Sequence, residues 1–444
     1  MRGRVEAMVM ALLAALTSAP AEARTQAYVL MAPDGAIARA ITDADRCPAL
    51  QVDGHAVAMT QRFAPATLPQ RPSSSGSAES HPSAFAIRVC EAPLPNHARH
   101  ATIAGQRLPL PRPLVQRIVL IGDTGCRLKT SSNAYQACND PKHWPFARVA
   151  QAAAAARPDV VLHVGDYHYR ENACAEGNAG CAGSPWGYGW DAWDADFFTP
   201  AASLLAAAPW VVDRGNHEEC ARAGQGWWIL LDPHALLPGR DCLAAANDGA
   251  GDRAPPYAVE LGNHARLIVF DFAKIGEKAI ADPATLAAYQ ADAAAGQAMA
   301  RAGDTNFMTD HYPFGAITES GKKGLKVGYP SVAGAFQSST PLPPLPHVAA
   351  VLSGHIHLLQ VAAVKGFPTQ IITGFSGTEE DEPPAPGTAA AAPALPDGLT
   401  LADLETRYGV FGFATLDRQP HGAWRFTARD WDGKPLLTRL IKRR

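Results

Sequence analysis

Five short polar motifs follow five separate apolar runs in this sequence, and each motif begins where its run ends. In chain order they are Gly122-Asp123-Thr124-Gly125, Gly165-Asp166-Tyr167-His168-Tyr169, Gly215-Asn216-His217-Glu218, Asp310-His311-Tyr312-Pro313 and Gly354-His355-Ile356-His357. The apolar runs are short and are separated by helical stretches, which predicts a mixed or parallel sheet with covered faces. In open α/β sheets, ligands bind beyond the carboxyl ends of the strands, so we expect the five motifs to meet at one edge.

The predicted strands are short and apolar. Those that carry motifs, together with two further candidates, are Arg117–Ile121, Asp159–Val164, Trp210–Asp213, Thr305–Thr309, Val348–Ser353, Ala265–Phe272 and Thr369–Thr373. The Ala-rich stretch from Phe146 to Ala156 predicts a helix that Pro158 ends. A glycine precedes the first candidate ligand in four motifs, and we expect it to let the backbone turn sharply as it leaves the strand.

The side chains that these motifs would bring together suit a pair of metal ions. Carboxylate and phenolate oxygens hold hard cations, and imidazole favours iron, zinc and similar metals. Two ions that share one carboxylate can clamp the attacking and leaving oxygens of an in-line displacement. Taken singly, a Gly-Asp pair is most often a turn, Asn can cap a helix, and His-x-His is a weak signal. Five such motifs at successive strand ends form a much more specific pattern.

The order of motifs resembles that of the calcineurin-like metallophosphoesterases, and within them the purple acid phosphatases. Most of that superfamily opens with Asp-x-His, whereas this chain has Gly122-Asp123-Thr124-Gly125. The second motif places Tyr169 three residues after Asp166, the Gly-Asp-x-x-Tyr form of the purple subgroup. The resemblance covers about residues 115–378. It implies an α/β (α+β) fold, a two-sheet β-sandwich flanked by helices, with a dinuclear metal site at strand ends.

The resemblance also implies a role for each motif residue. It assigns one metal, Fe(III), to Asp123, Asp166, Tyr169 and His357. It assigns a second, divalent metal (Fe, Zn or Mn) to Asp166 as a bridge, Asn216, His311 and His355. His217 would not bind metal but would stabilise charge on the phosphate or protonate the leaving oxygen. The implied reaction is hydrolysis of phosphate monoesters by a metal-bound hydroxide, with a phosphorylated small molecule as the substrate.

Several points stay open at this level. His311 is the preferred ligand of the fourth motif, because it follows a strand, and His264 and His347 are its rivals. Lys322 or Lys323 is either a phosphate contact or part of a solvated turn. A phosphodiesterase or nucleotidase would use the same metal site. A catalytically silent binding protein is the alternative from another class, which the complete set of candidate ligands disfavours.

Two further features near the second motif have alternative interpretations. His168 lies close to the expected metals in sequence and is either a group behind the ligands or a surface residue. Trp186–Trp193 contains three Trp residues and one Tyr. It could form an aromatic wall for a substrate, although packing under a disulfide-bonded loop is the preferred interpretation.

The N-terminal segment has the pattern of an export signal. Ala7–Leu16 is apolar, follows two arginines and precedes the small-x-small site Ala21-Glu22-Ala23, which predicts a signal peptide over 1–23 and a periplasmic or secreted protein. That run is too short to span a bilayer, and no later stretch reaches about 18 apolar residues. Residues 25–113 predict a small β-rich N-terminal domain. Residues 115–444 predict the catalytic domain, with a mobile loop at 379–398.

The eight cysteines agree with export, because an even number in an exported chain favours disulfides. Pairing in sequence order is the simplest expectation, namely 47–90, 126–138, 174–181 and 220–242. No paired C-x-x-C spacing supports zinc. The formal net charge is −3, and basic residues cluster in sequence only at Gly321–Gly324 and Lys442–Arg444. We therefore expect no nucleic-acid partner, and the sequence leaves the oligomeric state open.

Overall fold

The structure is a computed structural model that describes residues 23–71, 76, 80–319, 325–337, 345–385 and 400–444. Within these residues the strands are β1 (Thr25–Ala32), β2 (Gly35–Thr42), β3 (Leu50–Val52), β4 (His55–Val57), β5 (Thr60–Phe63), β6 (Ala66–Leu68), β7 (Ser83–Phe85), β8 (Arg88–Pro93), β9 (Ala101–Ile103), β10 (Gln106–Arg107), β11 (Arg117–Ile121), β12 (Leu128–Lys129), β13 (Ala134–Tyr135), β14 (Val160–His163), β15 (Trp210–Val212), β16 (Tyr257–Glu260), β17 (Ala265–Val269), β18 (Thr305–Thr309), β19 (Ile317–Glu319), β20 (Leu325–Val327), β21 (Val348–Ser353), β22 (Leu359–Val364), β23 (Thr369–Thr373), β24 (Leu401–Arg407), β25 (Gly412–Arg418), β26 (Trp424–Asp430) and β27 (Pro435–Ile441).

The helices of the same residues are mostly short. They are α1 (Phe146–Ala155), α2 (Trp190–Trp193), α3 (Thr199–Leu205), α4 (Gly224–Gly226), α5 (Asp248–Gly251), α6 (Pro283–Ala298) and α7 (Pro330–Phe336). Asp282 begins α6 by accepting a hydrogen bond from the backbone N–H of Thr285 at 2.8 Å, and Pro283 occupies the first helical position. Pro158 follows the end of α1, as the sequence predicts.

Two large sheets face each other. A ten-stranded sheet has the order β27-β26-β25-β11-β14-β15-β1-β2-β8-β5, and a seven-stranded sheet has the order β16-β17-β18-β21-β23-β22-β24. In the first sheet, β11, β14 and β15 are parallel to one another. In the second, β17, β18, β21 and β23 are parallel to one another. Strands that carry motifs therefore lie near the middle of both sheets.

A continuous apolar core fills the space between the sheets. Leu120 and Leu162 from the ten-stranded sheet pack in one cluster with Phe307 and Leu352 from the seven-stranded sheet, and all four are fully buried. The two-sheet sandwich is thereby confirmed. Successive side chains along a strand point to opposite faces of its sheet, so every second residue of these strands faces the core between the two sheets.

Helices cover the outer faces of the sandwich. α1 turns Phe146, Val149, Ala150 and Ala153 toward the ten-stranded sheet, with the spacing of one face of a helix. α6 and α7 cover the seven-stranded sheet through Tyr289 and neighbouring aromatic residues. The helices that flank the sheets are thus also as predicted.

Only some of the N-terminal strands form a sheet of their own, and the others join the ten-stranded sheet. β1 pairs in parallel with β15 through Leu30 and Trp210, so β1, β2, β8 and β5 extend the ten-stranded sheet. A four-stranded sheet of β10, β9, β3 and β4 lies beside them. The division into domains at 25–113 and 115–444 stays a prediction, and one hydrogen-bonded sheet runs across that boundary.

All four disulfides follow the pairing in sequence order. They join Cys47 to Cys90, Cys126 to Cys138, Cys174 to Cys181 and Cys220 to Cys242. Residues 1–22 of the predicted signal, Lys322, Lys323 and residues 386–398 of the predicted loop lie outside the described residues. Among the helices of the described part, none has the length and apolar character to cross a bilayer.

Candidate metal centre

Five strand ends from both sheets converge at one edge of the sandwich. Asp123 follows β11, Asp166 follows β14 and Asn216 follows β15, all in the ten-stranded sheet. His311 follows β18 and His355 follows β21, both in the seven-stranded sheet. The predicted meeting of the motifs therefore occurs across the sandwich, because the parallel strands of both sheets end on the same side.

Three of these residues have a strained backbone. Asp123, Asp166 and His355 have φ values of +53°, +60° and +67°, in the left-handed region that residues with a Cβ rarely adopt. Such conformations cost about 1–3 kcal/mol each and cluster at functional sites. After these three strands, the turn includes the candidate ligand itself.

One group of side chains surrounds the phenol of Tyr169. Its oxygen donates to Asp166 Oδ2 at 2.7 Å and lies 3.1 Å from Asp123 Oδ1 and 2.8 Å from His357 Nε2. Ligand atoms of Asp123, Asp166 and His357 all lie within 4.8 Å of one another. These are the four residues that the resemblance assigns to the first metal.

A second group surrounds the amide oxygen of Asn216. This oxygen lies 3.1 Å from His311 Nε2 and 2.8 Å from His355 Nδ1. His311 Nε2 is also 3.2 Å from Asp166 Oδ2. Asp166, His311 and His355 form a second trio of ligand atoms within 4.8 Å, so Asp166 belongs to both groups.

The electrostatics of this arrangement fit a cation. Burial raises the pKa of Asp123, against the opposing effect of His311 and His357. Burial alone would lower the pKa of His311, but the Asp166 carboxylate outweighs it and raises that pKa to about 10. The two buried carboxylates share this site with imidazole and phenol groups, all of which offer donor atoms to a cation. Metal cations can displace the protons that these groups hold in the metal-free protein, so the residues present fit a dinuclear centre.

The comparisons with known proteins agree with this geometry. The sequence model for calcineurin-like phosphoesterases matches residues 116–359, which is more than half of the chain. The chain belongs to the calcineurin-like phosphoesterases. It is therefore a metallophosphoesterase, a hydrolase that cleaves phosphoesters with the help of metal ions. A search of curated proteins found no match to its sequence.

Solved structures that are similar to this phosphoesterase have low sequence identity to it, and the first of them shares its fold. A purple acid phosphatase from yellow lupin (Lupinus luteus) seeds is 13% identical with a TM-score of 0.56, over 94% of this chain and 74% of that chain. PhoD is 10% identical with a TM-score of 0.49, over 94% and 88% of the two chains. A dimetal phosphatase from Danio rerio is 11% identical with a TM-score of 0.38, over 74% and 100%.

His217 lies beside the centre without belonging to either group. Its Nε2 is 4.0 Å from Asp166 Oδ2, and its Nδ1 is 2.8 Å from Glu171 Oε1. Arg222 pairs with the same Glu171 carboxylate. Burial, together with the Arg222 charge, lowers the pKa of His217 to about 3. Contacts of Nδ1 with Glu171 and with Arg222 Nη2, which is 2.6 Å away, fix the orientation of the ring, and sequence reasoning missed both residues.

Glu218 holds two of the motif loops together in the phosphoesterase. Its carboxylate accepts hydrogen bonds from the backbone N–H groups of Asp166 and Gly215 at 3.1 Å each. It also accepts from the N–H groups of Tyr167 at 2.8 Å and His168 at 3.1 Å. The sequence shows Glu218 inside the third motif, but its neighbours there give no sign of this role.

Two further carboxylates act behind the candidate ligands. Glu277 Oε1 is 3.5 Å from His355 Nε2, the nitrogen opposite the one that faces Asn216. Buried Asp196 accepts from the backbone N–H of Tyr169 at 2.7 Å. Partners of this kind orient metal ligands and set their tautomers. Neither residue belongs to a local motif, so no sequence signal pointed to them.

The structure also shows where the rival histidines and the tryptophan-rich segment lie relative to the centre. His264 and His347 precede β17 and β21, at the opposite edge of the sheet from the centre, whereas His311 lies in it. His168 is fully buried between the rings of Tyr188 and Trp193. The tryptophans of Trp186–Trp193 do not line the cavity at the centre, and Trp193 is part of the core, as the packing interpretation expects.

A cavity of 780 Å³ leads from solvent to the centre. Its wall carries six carboxylates beyond the candidate ligands, namely Glu277, Glu319, Glu379, Glu380, Asp381 and Glu382. Two cations of the described part of the chain also line it. Lys326 pairs with Glu277 at 2.5 Å, whereas Arg127 has no carboxylate partner among the described residues. Arg127 is therefore the available cation of the described wall, a residue that sequence reasoning missed.

Proposed function

We propose that this phosphoesterase is an exported phosphatase that hydrolyses phosphate monoesters at a dinuclear centre. The observation that carries the proposal is the Asp166 carboxylate, which belongs to both trios of ligand atoms. The monoester preference is supported by the Gly-Asp-x-x-Tyr pattern that ends in Tyr169. The fold that the chain shares with the lupin purple acid phosphatase also supports it.

The ligand chemistry favours two different ions. Phenolate from Tyr169 with two carboxylates suits a trivalent iron, whereas the imidazoles and the amide around Asn216 suit a divalent iron, zinc or manganese. When bound, such a pair supplies Lewis acidity that activates water and neutralises the phosphate. Asp123, Asp166, Tyr169 and His357 would hold the first ion, and Asp166, Asn216, His311 and His355 the second.

The remaining residues of the site bind and orient the substrate. Arg127 would hold the phosphate from the cavity wall, because a guanidinium donates in pairs to phosphate oxygens. His217, turned by Glu171, would direct its Nε2 at the ester group beside Asp166. Arg222 Nη2 lies 2.6 Å from Nδ1 and donates to it, so the neutral ring carries its proton on Nε2. His217 would therefore donate a hydrogen bond from Nε2 to an ester oxygen and stabilise the charge that develops there.

The direct test is hydrolysis of a chromogenic phosphate monoester across pH, with the matching diester in parallel. We expect turnover of the monoester that is lost on chelation and restored by added metal. Turnover of the diester alone would move the activity to phosphodiester hydrolysis. No turnover of either by protein with bound metal would favour a binding protein that keeps the fold.

Export is supported by the four disulfides, which persist in oxidising compartments. N-terminal sequencing of protein recovered from outside the cytoplasm of a bacterial host tests it. A mature chain that begins near Arg24 supports cleavage after Ala23. Full-length chain that stays in the cytoplasm contradicts it.

A further inference from the structure

A second charged groove lies at the opposite edge of the ten-stranded sheet from the metal centre. It has a volume of 920 Å³ and is lined by six arginines and two aspartates, a net charge of +4: Arg112, Arg117, Arg157, Arg418, Arg425, Arg429, Asp159 and Asp417. Arg117 begins the five-residue strand β11, whose other end leads to Asp123. That strand spans about 17 Å, so the groove is separate from the site of hydrolysis.

The centre of the groove is one face of the sheet. Arg425, Thr427 and Arg429 alternate along β26 with the core residues Trp424, Phe426 and Ala428. The alternation places the three polar side chains together on the outer face. Across the sheet, Asp417 lies opposite Arg425, and Thr438 lies opposite Thr427.

Only part of this positive charge is neutralised by the protein. Arg112 pairs with Asp159 at 3.1 Å, and Arg117 pairs with Asp417 at 2.5 Å. The other four guanidinium groups have no carboxylate partner among the described residues. Arg425 donates to the neutral side chain of Gln419 at 3.0 Å, and Arg429 donates to a backbone carbonyl at 3.0 Å.

Dispersed sequence positions explain why this groove escapes a search for basic clusters. Its arginines come from the approach to β11, the loop after α1 and the strands β25 and β26, which are separated by more than 200 residues of chain. The chain as a whole carries a formal charge of −3, so the positive charge is concentrated locally. A local field of this kind attracts anions that the net charge would not.

We propose that this groove is a second binding site, for a linear polyanion of closely spaced phosphate groups. Arg425 and Arg429 are four residues apart on one strand, so their Cα atoms are about 13 Å apart and the groove offers a row of cationic groups. A chain with several anionic groups can contact the whole row, because guanidinium groups bind phosphate oxygens in pairs. The enzyme would thereby hold a phosphate-rich polymer at a distance from the centre that hydrolyses esters.

The lining distinguishes a phosphate chain from other polyanions. Among the described residues, no aromatic side chain lines the groove, whereas proteins that bind single-stranded nucleic acid stack its bases on aromatic rings. The described lining is also concave and almost wholly polar, whereas docking on a lipid surface uses apolar side chains that insert. Inorganic polyphosphate is a linear chain of closely spaced phosphate groups, and it has neither bases nor acyl chains.

The test measures binding of fluorescently labelled inorganic polyphosphate by anisotropy, on full-length protein. The groove variant Arg425→Glu/Arg429→Glu is compared with Arg99→Glu/Arg107→Glu, which makes the same change of charge at two exposed arginines outside the groove. We expect at least about tenfold weaker binding for the groove variant, little change for the control, and weakening with added salt for the wild type. Unchanged monoester hydrolysis shows that each variant is folded.

Arg157→Glu provides a second variant, because Arg157 lies in an exposed loop and its replacement leaves the sheet intact. Equal losses in groove and control variants would mean a general charge effect and would overturn the proposal. Wild-type protein that does not bind polyphosphate would also overturn it. Single-stranded DNA and anionic vesicles are measured in parallel, and groove-dependent binding of either without binding of polyphosphate would refute the assigned class of ligand.

Discussion

Asp196 joins two motif loops through a single buried carboxylate, so its replacement by Asn tests what holds the centre in shape. Its Oδ2 accepts from the backbone N–H groups of Tyr169 at 2.7 Å and Arg170 at 3.0 Å. Its Oδ1 accepts from the N–H of Cys126 at 2.9 Å and from Arg170 Nε at 2.7 Å. Asp196 is fully buried and Arg170 nearly so, which keeps water away from all four bonds.

Asp196→Asn keeps one oxygen acceptor and turns an amide NH₂ toward the other two donors. Two buried donors left without an acceptor cost about 1–3 kcal/mol each, so we expect a loss of about 2–6 kcal/mol. Breaking a buried ion pair gives a similar range of about 3–5 kcal/mol. We also expect weaker metal binding, because Tyr169 follows directly from the loop that is released.

The assay is urea-induced unfolding of the metal-free protein, followed by titration with metal. Asp194→Asn is the matched control, since Asp194 pairs with the exposed Arg24 at 3.2 Å and such pairs contribute about 0–1 kcal/mol. If the two variants unfold within about 0.5 kcal/mol of each other, the Asp196 carboxylate does not hold the loops together and the reasoning fails.

Four further outcomes follow from the same geometry. Asp166→Asn should remove both metal ions, measured as metal per chain by mass spectrometry; retention of one ion at full occupancy would contradict the shared ligand. Tyr169→Phe should keep the far-UV circular dichroism and abolish the visible absorption band that a phenolate–iron(III) bond would give the iron-loaded protein, and a band that persists would exclude Tyr169 as a ligand. Leu162→Ala, in the fully buried layer between the sheets, should lower the unfolding free energy by about 2–5 kcal/mol in urea. Replacing Cys220 and Cys242 by Ser opens a loop of sequence separation 22 and should cost about 3 kcal/mol, measured by thermal unfolding.

The strand-end position of each candidate ligand made the centre predictable from sequence. Asp123 and Asp166 follow apolar runs by two or three residues, and the direction of parallel strands brings such positions to one edge. The spacing of strands and motifs did not indicate that His311 and His355 would come from a separate sheet. The resemblance supplied that expectation, because the facing of two sheets depends on contacts between residues far apart in the chain.

The supporting groups could not be predicted, since no local pattern marks them. Asp196 lies 70 residues from its partner Cys126, and Arg222 lies 51 residues from its partner Glu171. The parallel pairing of Leu30 with Trp210 is equally remote and places the N-terminal strands in the catalytic sheet. Each of these contacts depends on the completed packing of the chain, whereas the spacing between a strand and its own motif is set locally.

The glycines that precede the candidate ligands lie at the strand ends, but the reason expected for them holds only in part. Among the four, only Gly165 has a positive φ, so freedom to turn does not explain the rest. A Cβ on Gly215 would lie 2.1 Å from Asp166 Oδ1, and a Cβ on Gly354 would lie 2.5 Å from Asp123 Oδ2. The missing side chains leave room for carboxylates that arrive from neighbouring strands. Gly215 and Gly354 therefore belong to the centre through the volume they leave open, while Asp123 and Asp166 bear the backbone strain.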